Sequence, residues 1–326
     1  MSNTNHTPSE VNDTAPSSIR HIVGQQHVVE QVSVALDAAF ADGVAMPHGM
    51  LVGPPGLGKT ATAHVIACEM ASDLHEVLGQ TIRSPADLNA LLLAAKDRDV
   101  IHIDEAHELD RSYQTALYLA LDQKQVLLAG DRNGNTPSGI PLADFTLLLS
   151  TTDEYGLLQP LRDRMRLTLR FEFYAVDDLI RLLQSKCHSL GWSVEEAALP
   201  QIAQRSRGTP RLALRLLQAA RRVCRADGQS TVTLPHLVRA CDLEQVDGLG
   251  LGPTERRYLE LLSAGSSRLN VIASTLGLPS RTVSSVTESF LIRSGLVTKD
   301  DQSRRVLTAK GHDHLRESNH LEEHNV

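Results

Sequence analysis

The stretch GMLVGPPGLGKTATAHVIACEMA (49–71) changes character twice. An apolar run, 49–53, gives way to a Gly/Pro-rich loop, and the loop opens onto residues with helical spacing. The loop, GPPGLGKT (53–60), fits G-x-x-x-x-G-K-[ST] and sits between strand and helix, as a phosphate-binding loop requires. Its glycines let backbone N–H groups turn inward around anionic oxygens, aided by the N-terminus of the following helix. The candidate nucleotide contacts are Gly53, Gly56, Leu57, Gly58, Lys59, Thr60 and Ala61. Lys59 is placed to neutralise β- and γ-phosphate charge, and the Thr60 hydroxyl to hold Mg²⁺.

Such a loop needs a second acidic partner at the end of another parallel strand. VIHIDE (100–105) supplies it, 45 residues beyond Lys59: Asp104 for the metal shell, Glu105 to polarise an attacking water. A glutamate there implies ATP hydrolysis as well as binding. FTLLLSTTD (145–153) ends a third strand in hydroxyls, so that Thr151 and Thr152 stand at the carboxyl edge of the sheet. Thr152 is the candidate for orienting the water or sensing the γ-phosphate. Arg211, in RGTPR at a helix start, is either a phosphate contact or a surface arginine.

Outward from this site, apolar strands alternate with helices to about residue 173, the pattern of an α/β domain whose parallel sheet is covered on both faces. KQVLLAGDRNGNTPSGIPLAD interrupts it, and its NGN centre predicts an inserted β-hairpin. Helical patterns with Gly and Pro punctuation then predict a small helical lid domain. After the Gly-rich joint VDGLGLGP (246–253), three short helices and two strands predict a C-terminal winged helix. The expected organisation is a disordered tail at 1–17, a P-loop domain at 18–173, the lid at 174–246, the winged helix at 247–315 and a disordered tail at 316–326.

Composition narrows the class. The 326 residues carry a formal charge of −7, but residues 1–172 hold 12 Lys+Arg against 22 Asp+Glu, while 246–315 hold 9 against 7. Anionic partners therefore suit the C-terminal half better. Four scattered cysteines without CxxC spacing argue for reduced thiols. The polar start and the lack of any long apolar run leave no signal peptide or membrane span, so a cytoplasmic location is expected.

Taken together, IVGQ (22–25), GPPGLGKT, IDEAH (103–107), the hairpin, PLRDR (160–164), FEFY (171–174), RGTPR (207–211) and the terminal winged helix resemble the AAA+ ATPases, and more narrowly the RuvB branch-migration motors. The likeness spans roughly residues 20–315. It implies ATP-dependent migration of four-way DNA junctions in recombination and repair, by a hexameric ring on duplex DNA with a RuvA-type partner. It implies that Arg164 acts as an arginine finger on ATP held by a neighbouring subunit, that Arg211 is the sensor in cis, and that Ile22 and Val23 line the adenine pocket. The hairpin would meet RuvA, with Val126, Leu127 and Leu128 as apolar contacts, and Arg281, Arg304 and Arg305 would contact DNA phosphates. The chain departs from the family where SSIRH replaces an Arg-Pro start, LGQ (78–80) a Ser-Gly-Pro, and Thr-Thr-Asp a Thr-Thr-Arg sensor ending. A clamp-loader or remodelling ATPase, and a nucleotide-gated winged-helix regulator, remain alternatives at this point.

Overall fold

The structure, a computed structural model, describes residues 16–127 and 139–323; the expected tail through residue 15, the NGN turn and residues 324–326 lie outside the described residues. The chain divides into two units, one reaching to Leu190 and including Thr209–Arg211, the other comprising Gly191–Gly208 and the chain from Leu212 on.

In the first unit, α1 (Gln26–Asp42) buries Val28, Val32, Ala35, Leu36 and Ala39 at helical spacing. β1 (Gly49–Val52) runs through the Gly-rich loop into α2 (Lys59–Glu69). β2 (Leu74–Leu78) is followed by α3 (Pro85–Ala94), which starts with Ser84 accepting the Asp87 N–H and Pro85 in the first turn. β3 (Val100–Asp104) precedes α4 (Arg111–Gln123), capped by Asp110. β4 (Gln125–Leu127) and β5 (Gly139–Pro141) pair antiparallel as the base of the predicted hairpin. β6 (Thr146–Thr151), α5 (Gln159–Arg162), β7 (Leu167–Arg170) and α6 (Val176–Leu190) complete the unit.

The sheet order is β2-β3-β6-β1-β7, with every pairing parallel. Alternate residues feed two cores. Met50, Ile101, Ile103, Leu147 and Leu149 pack with α3 and α4; Leu51, Val100, Leu148 and Leu169 pack with α1 and α2. Covering both faces is what makes these strands read as unbroken apolar runs. The loop after β1 and the end of β3 open at the same carboxyl edge, with β6 between them.

In the second unit, β8 (Ser193–Val194) pairs with a later strand across α7 (Ala198–Arg205) and α8 (Pro210–Ala226), whose first residues belong to the first unit. That partner is β9 (Thr231–Val232), and α9 (Leu234–Glu244) follows. The winged helix contains α10 (Pro253–Ser263), α11 (Leu269–Leu276) and α12 (Ser280–Thr282). α12 passes through a π-type segment, Val283–Glu288, into α13 (Ser289–Arg293). β10 (Val297–Lys299) and β11 (Arg305–Leu307) form its antiparallel wing. α14 (Ala309–Glu323) ends the described chain.

Three expectations are corrected here. Val126 is 3% exposed and packed in the core, so it has no surface to offer a partner; Leu128 lies outside the described residues. Arg305 is 9% exposed, its Nε donating to Glu288 Oε2 at 2.8 Å and its Nη2 to Glu288 Oε1 at 3.1 Å. It is an internal ion pair of the wing, not a phosphate contact. Residues 316–323, expected as disordered tail, continue α14. Among the described residues, no helix is long and apolar enough to cross a membrane.

Candidate active site

The loop between β1 and α2 admits little besides its own sequence. At Gly56, φ is +78°, and a Cβ would lie 2.9 Å from Arg211 Cβ and 3.0 Å from Thr209 Cγ2. Only glycine takes that conformation and that proximity together. Lys59 opens α2 at 6% exposure, and its Nζ donates to the carbonyls of Gly53 (2.7 Å) and Pro54 (2.9 Å). One of its three N–H donors remains for an anion. Burial lowers the Lys59 pKa, with Glu105 and Asp104 opposing that shift and Arg211 adding to it. A partly desolvated ammonium on a rigid loop binds phosphate more strongly than one in water. Leu57 is fully buried in the core, so only its backbone faces the loop.

β3 brings its acids to the same edge. Thr60 Oγ1 donates to Asp104 Oδ2 at 3.1 Å, while Asp104 Oδ1 accepts the Glu105 N–H at 2.9 Å. A hydroxyl and a carboxylate at this spacing are hard oxygen donors of the kind Mg²⁺ prefers, so the residues present fit that ion. Glu105 has left-handed backbone angles, φ 46° and ψ 49°, which turn its side chain off the strand axis. Its Oε2 accepts from Thr152 Oγ1 at 3.4 Å and lies 3.4 Å from His107 Nδ1. Thr151 is instead buried, its hydroxyl shared between the Asp153 carbonyl (2.9 Å) and His107 Nδ1 (3.1 Å). Of the two threonines, Thr152 is the exposed one and the one beside the glutamate. Asp153, the departure from a sensor arginine, caps the next turn by accepting the Gly156 N–H at 3.1 Å. Gly79, within the departing LGQ, has close approach as its reason: a Cβ there would meet Glu105 O at 2.6 Å.

Arg211 reaches the loop from the start of α8, its N–H donating to Gly56 O at 3.3 Å. Ile22 and Val23 are half-buried, in a segment pinned by paired bonds between the Gln25 side chain and the Glu172 backbone, at 2.7 and 3.1 Å. Tyr174 packs on Gly24 and donates from its hydroxyl to Leu57 O at 3.5 Å, tying that segment to the phosphate loop. Burial pushes the Tyr174 pKa up to about 12, so the phenol stays neutral.

The structure therefore brings Lys59, Thr60, Asp104, Glu105, Thr152 and Arg211 to one edge. Arg164 bonds elsewhere in its own chain, to Asp122 and the Pro160 carbonyl. Arg281 is exposed and Arg304 half-exposed in the winged helix. Tyr174 and His107 went unassigned in the sequence although FEFY and IDEAH contain them; nothing in the sequence signalled Asp122.

Comparison with known proteins follows this geometry along the chain. Residues 14–171 match the family model for the Holliday junction DNA helicase RuvB P-loop domain, 174–247 that for the RuvB AAA lid domain, and 248–316 that for the RuvB C-terminal winged helix domain. The Holliday junction branch migration complex subunit RuvB of Neorickettsia sennetsu is 35% identical over 305 residues, 92% of this chain and 92% of that protein. The Nocardia farcinica subunit of the same name is 37% identical over 92% of this chain and 85% of its own length. Among solved structures, the Thermotoga maritima RuvB Holliday junction branch migration motor superposes with a TM-score of 0.81 at 31% identity, covering 93% of this chain and 98% of that one.

Proposed function

The chain belongs to the RuvB family, and on that premise we propose that it hydrolyses ATP to drive branch migration of Holliday junctions in recombination and repair. It works as a ring of identical subunits, a hexamer, on duplex DNA in the cytoplasm, with a RuvA-type protein as partner. The single observation that carries the hydrolytic reading is the placement of Glu105, its Oε2 3.4 Å from Thr152 Oγ1 and directly after Asp104, which the Thr60 hydroxyl joins to the phosphate loop.

The chemistry follows from the groups at that edge. Loop amides from Gly53 to Ala61 and the Lys59 ammonium receive the β- and γ-phosphate oxygens. Thr60 and Asp104 hold Mg²⁺, which when bound neutralises charge on those phosphates. Glu105 orients water and accepts its proton, with Thr152 and His107 fixing the carboxylate. Arg211 stabilises phosphate charge in cis and Arg164 does so on a neighbour's nucleotide. Ile22 and Val23, backed by Tyr174, enclose the base. Arg281 and Arg304 are the DNA contacts left in the winged helix once Arg305 is committed to Glu288.

ATP turnover and strand separation, measured on synthetic four-way junctions, test the proposal. Turnover should rise when junction DNA and a RuvA-type protein are added together, and junctions should be resolved into arms only with ATP. Turnover indifferent to both additions would remove the motor reading.

A further inference from the structure

Arg164 is already held in place within its own chain. α4 presents Tyr118 and Asp122 one turn apart on one face. The Asp122 carboxylate accepts from Arg164 Nε at 2.7 Å and also from Nη2, a side-on bidentate pair. Nη1 donates to the Pro160 carbonyl, and the guanidinium lies over the Tyr118 ring with its carbon 5.0 Å from the centroid. Three of the five guanidinium N–H donors are thereby engaged, leaving one on each terminal nitrogen.

We propose that Asp122, assisted by Tyr118, is a positioning residue for Arg164: it fixes the guanidinium so that its two remaining terminal N–H donors are presented to a phosphate held by the adjacent subunit. The inference rests on the reading of Arg164 as a residue acting in trans. An unrestrained arginine would lose its side-chain freedom at the moment of phosphate contact, whereas here that ordering is completed on folding. Asp122 takes the Nε edge and leaves the end of the fork, so it orients the cation without occupying it. The hydrogen bond from Arg164 holds the Asp122 carboxyl below the usual carboxylate range, so the clamp is ionised near neutrality. Both side chains are at the surface, 42% exposed for Asp122 and 30% for Arg164, so substitution opens no core.

Steady-state ATP turnover of the full chain with four-way junction DNA tests this in Asp122→Ala, Asp122→Glu and Arg164→Ala. Asp122→Ala should lower kcat about 10- to 100-fold while KM for ATP stays within about twofold. Asp122→Glu should recover part of the loss, and both should melt with the parent protein. Wild-type or faster turnover in Asp122→Ala, with Arg164→Ala inactive, overturns the positioning role and leaves the trans role of Arg164 standing. Normal turnover in Arg164→Ala overturns the trans role, and the positioning role with it.

Discussion

Glu105 combines backbone strain and chemistry in one residue. A non-glycine residue in the left-handed region costs about 1–3 kcal/mol, and here it directly follows Asp104, the acid we propose for the metal. The strain is held by the Glu105 N–H on Asp104, by Glu108 N donating to Glu105 O at 2.9 Å, and by the close backbone of Gly79. Glu105→Gln keeps the shape and removes the proton acceptor. We expect it to bind ATP like the parent, by calorimetry, and to lose about 100-fold or more in turnover; hydrolysis at the parental rate would remove Glu105 from the water-activating role. The core of this site was legible because its parts are local: each motif sets its own loop, and β3 and β6 need only be parallel neighbours of one sheet. Asp122 was not legible because it lies 42 residues from Arg164 and meets it only through the packing of α5 on α4. His107 was visible as a letter in IDEAH, but its bond to Thr151 depends on the register between β3 and β6.

At the scale of elements, the corrected readings of Arg305 and Val126 share a cause in strand parity. Arg304 and Arg305 are consecutive, so the wing must point them to opposite faces, and Leu307 marks the buried one. Arg305 shares that face and meets Glu288, which also takes Tyr258 and Lys299. Val126 in β4 is the apolar counterpart, facing inward although its segment reads as an exposed hairpin. The polar composition of 316–323 likewise hid a helical continuation, because α14 is started and oriented by residues before it. Within the second unit Arg207 is a second buried polar joint: it pairs with Glu255 at 2.8 Å, donates to Gly250 O at 2.7 Å and stacks on Phe290 at 4.9 Å. Its side chain is 15% exposed and that of Glu255 12%. Arg207→Ala would strand a buried carboxylate, and we expect a loss of about 3–5 kcal/mol, read from the urea midpoint. The double change Arg207→Met with Glu255→Met should recover most of it; equal midpoints for the single and double variants would show that the stranded charge is not the cause.

For the whole molecule, charge and site point the same way. The acidic excess lies in residues 1–172, so attraction to DNA falls to the C-terminal part, where Glu288 pairs with both Arg305 and Lys299 and offsets one of their two charges. Few cations then remain on the wing, and the ring we propose would supply them several times over. The ATP site divides the same way on our reading: one subunit contributes the loop with Lys59, and its neighbour contributes Arg164 on the Asp122 clamp. A head-to-tail interface repeated around a closed ring makes this division testable. Lys59→Ala and Arg164→Ala proteins should each be nearly inactive alone. In an equal mixture of subunits that exchange freely, about a quarter of interfaces pair an intact loop with an intact arginine. Turnover should therefore rise well above that of either variant, and should fall again when Asp122→Ala is added to the Lys59→Ala chain. An arginine acting within its own subunit gives no gain on mixing, because every subunit still lacks one essential group. Mixed rings confirmed by mass, with no recovered turnover, would place Arg164 in cis or outside the reaction.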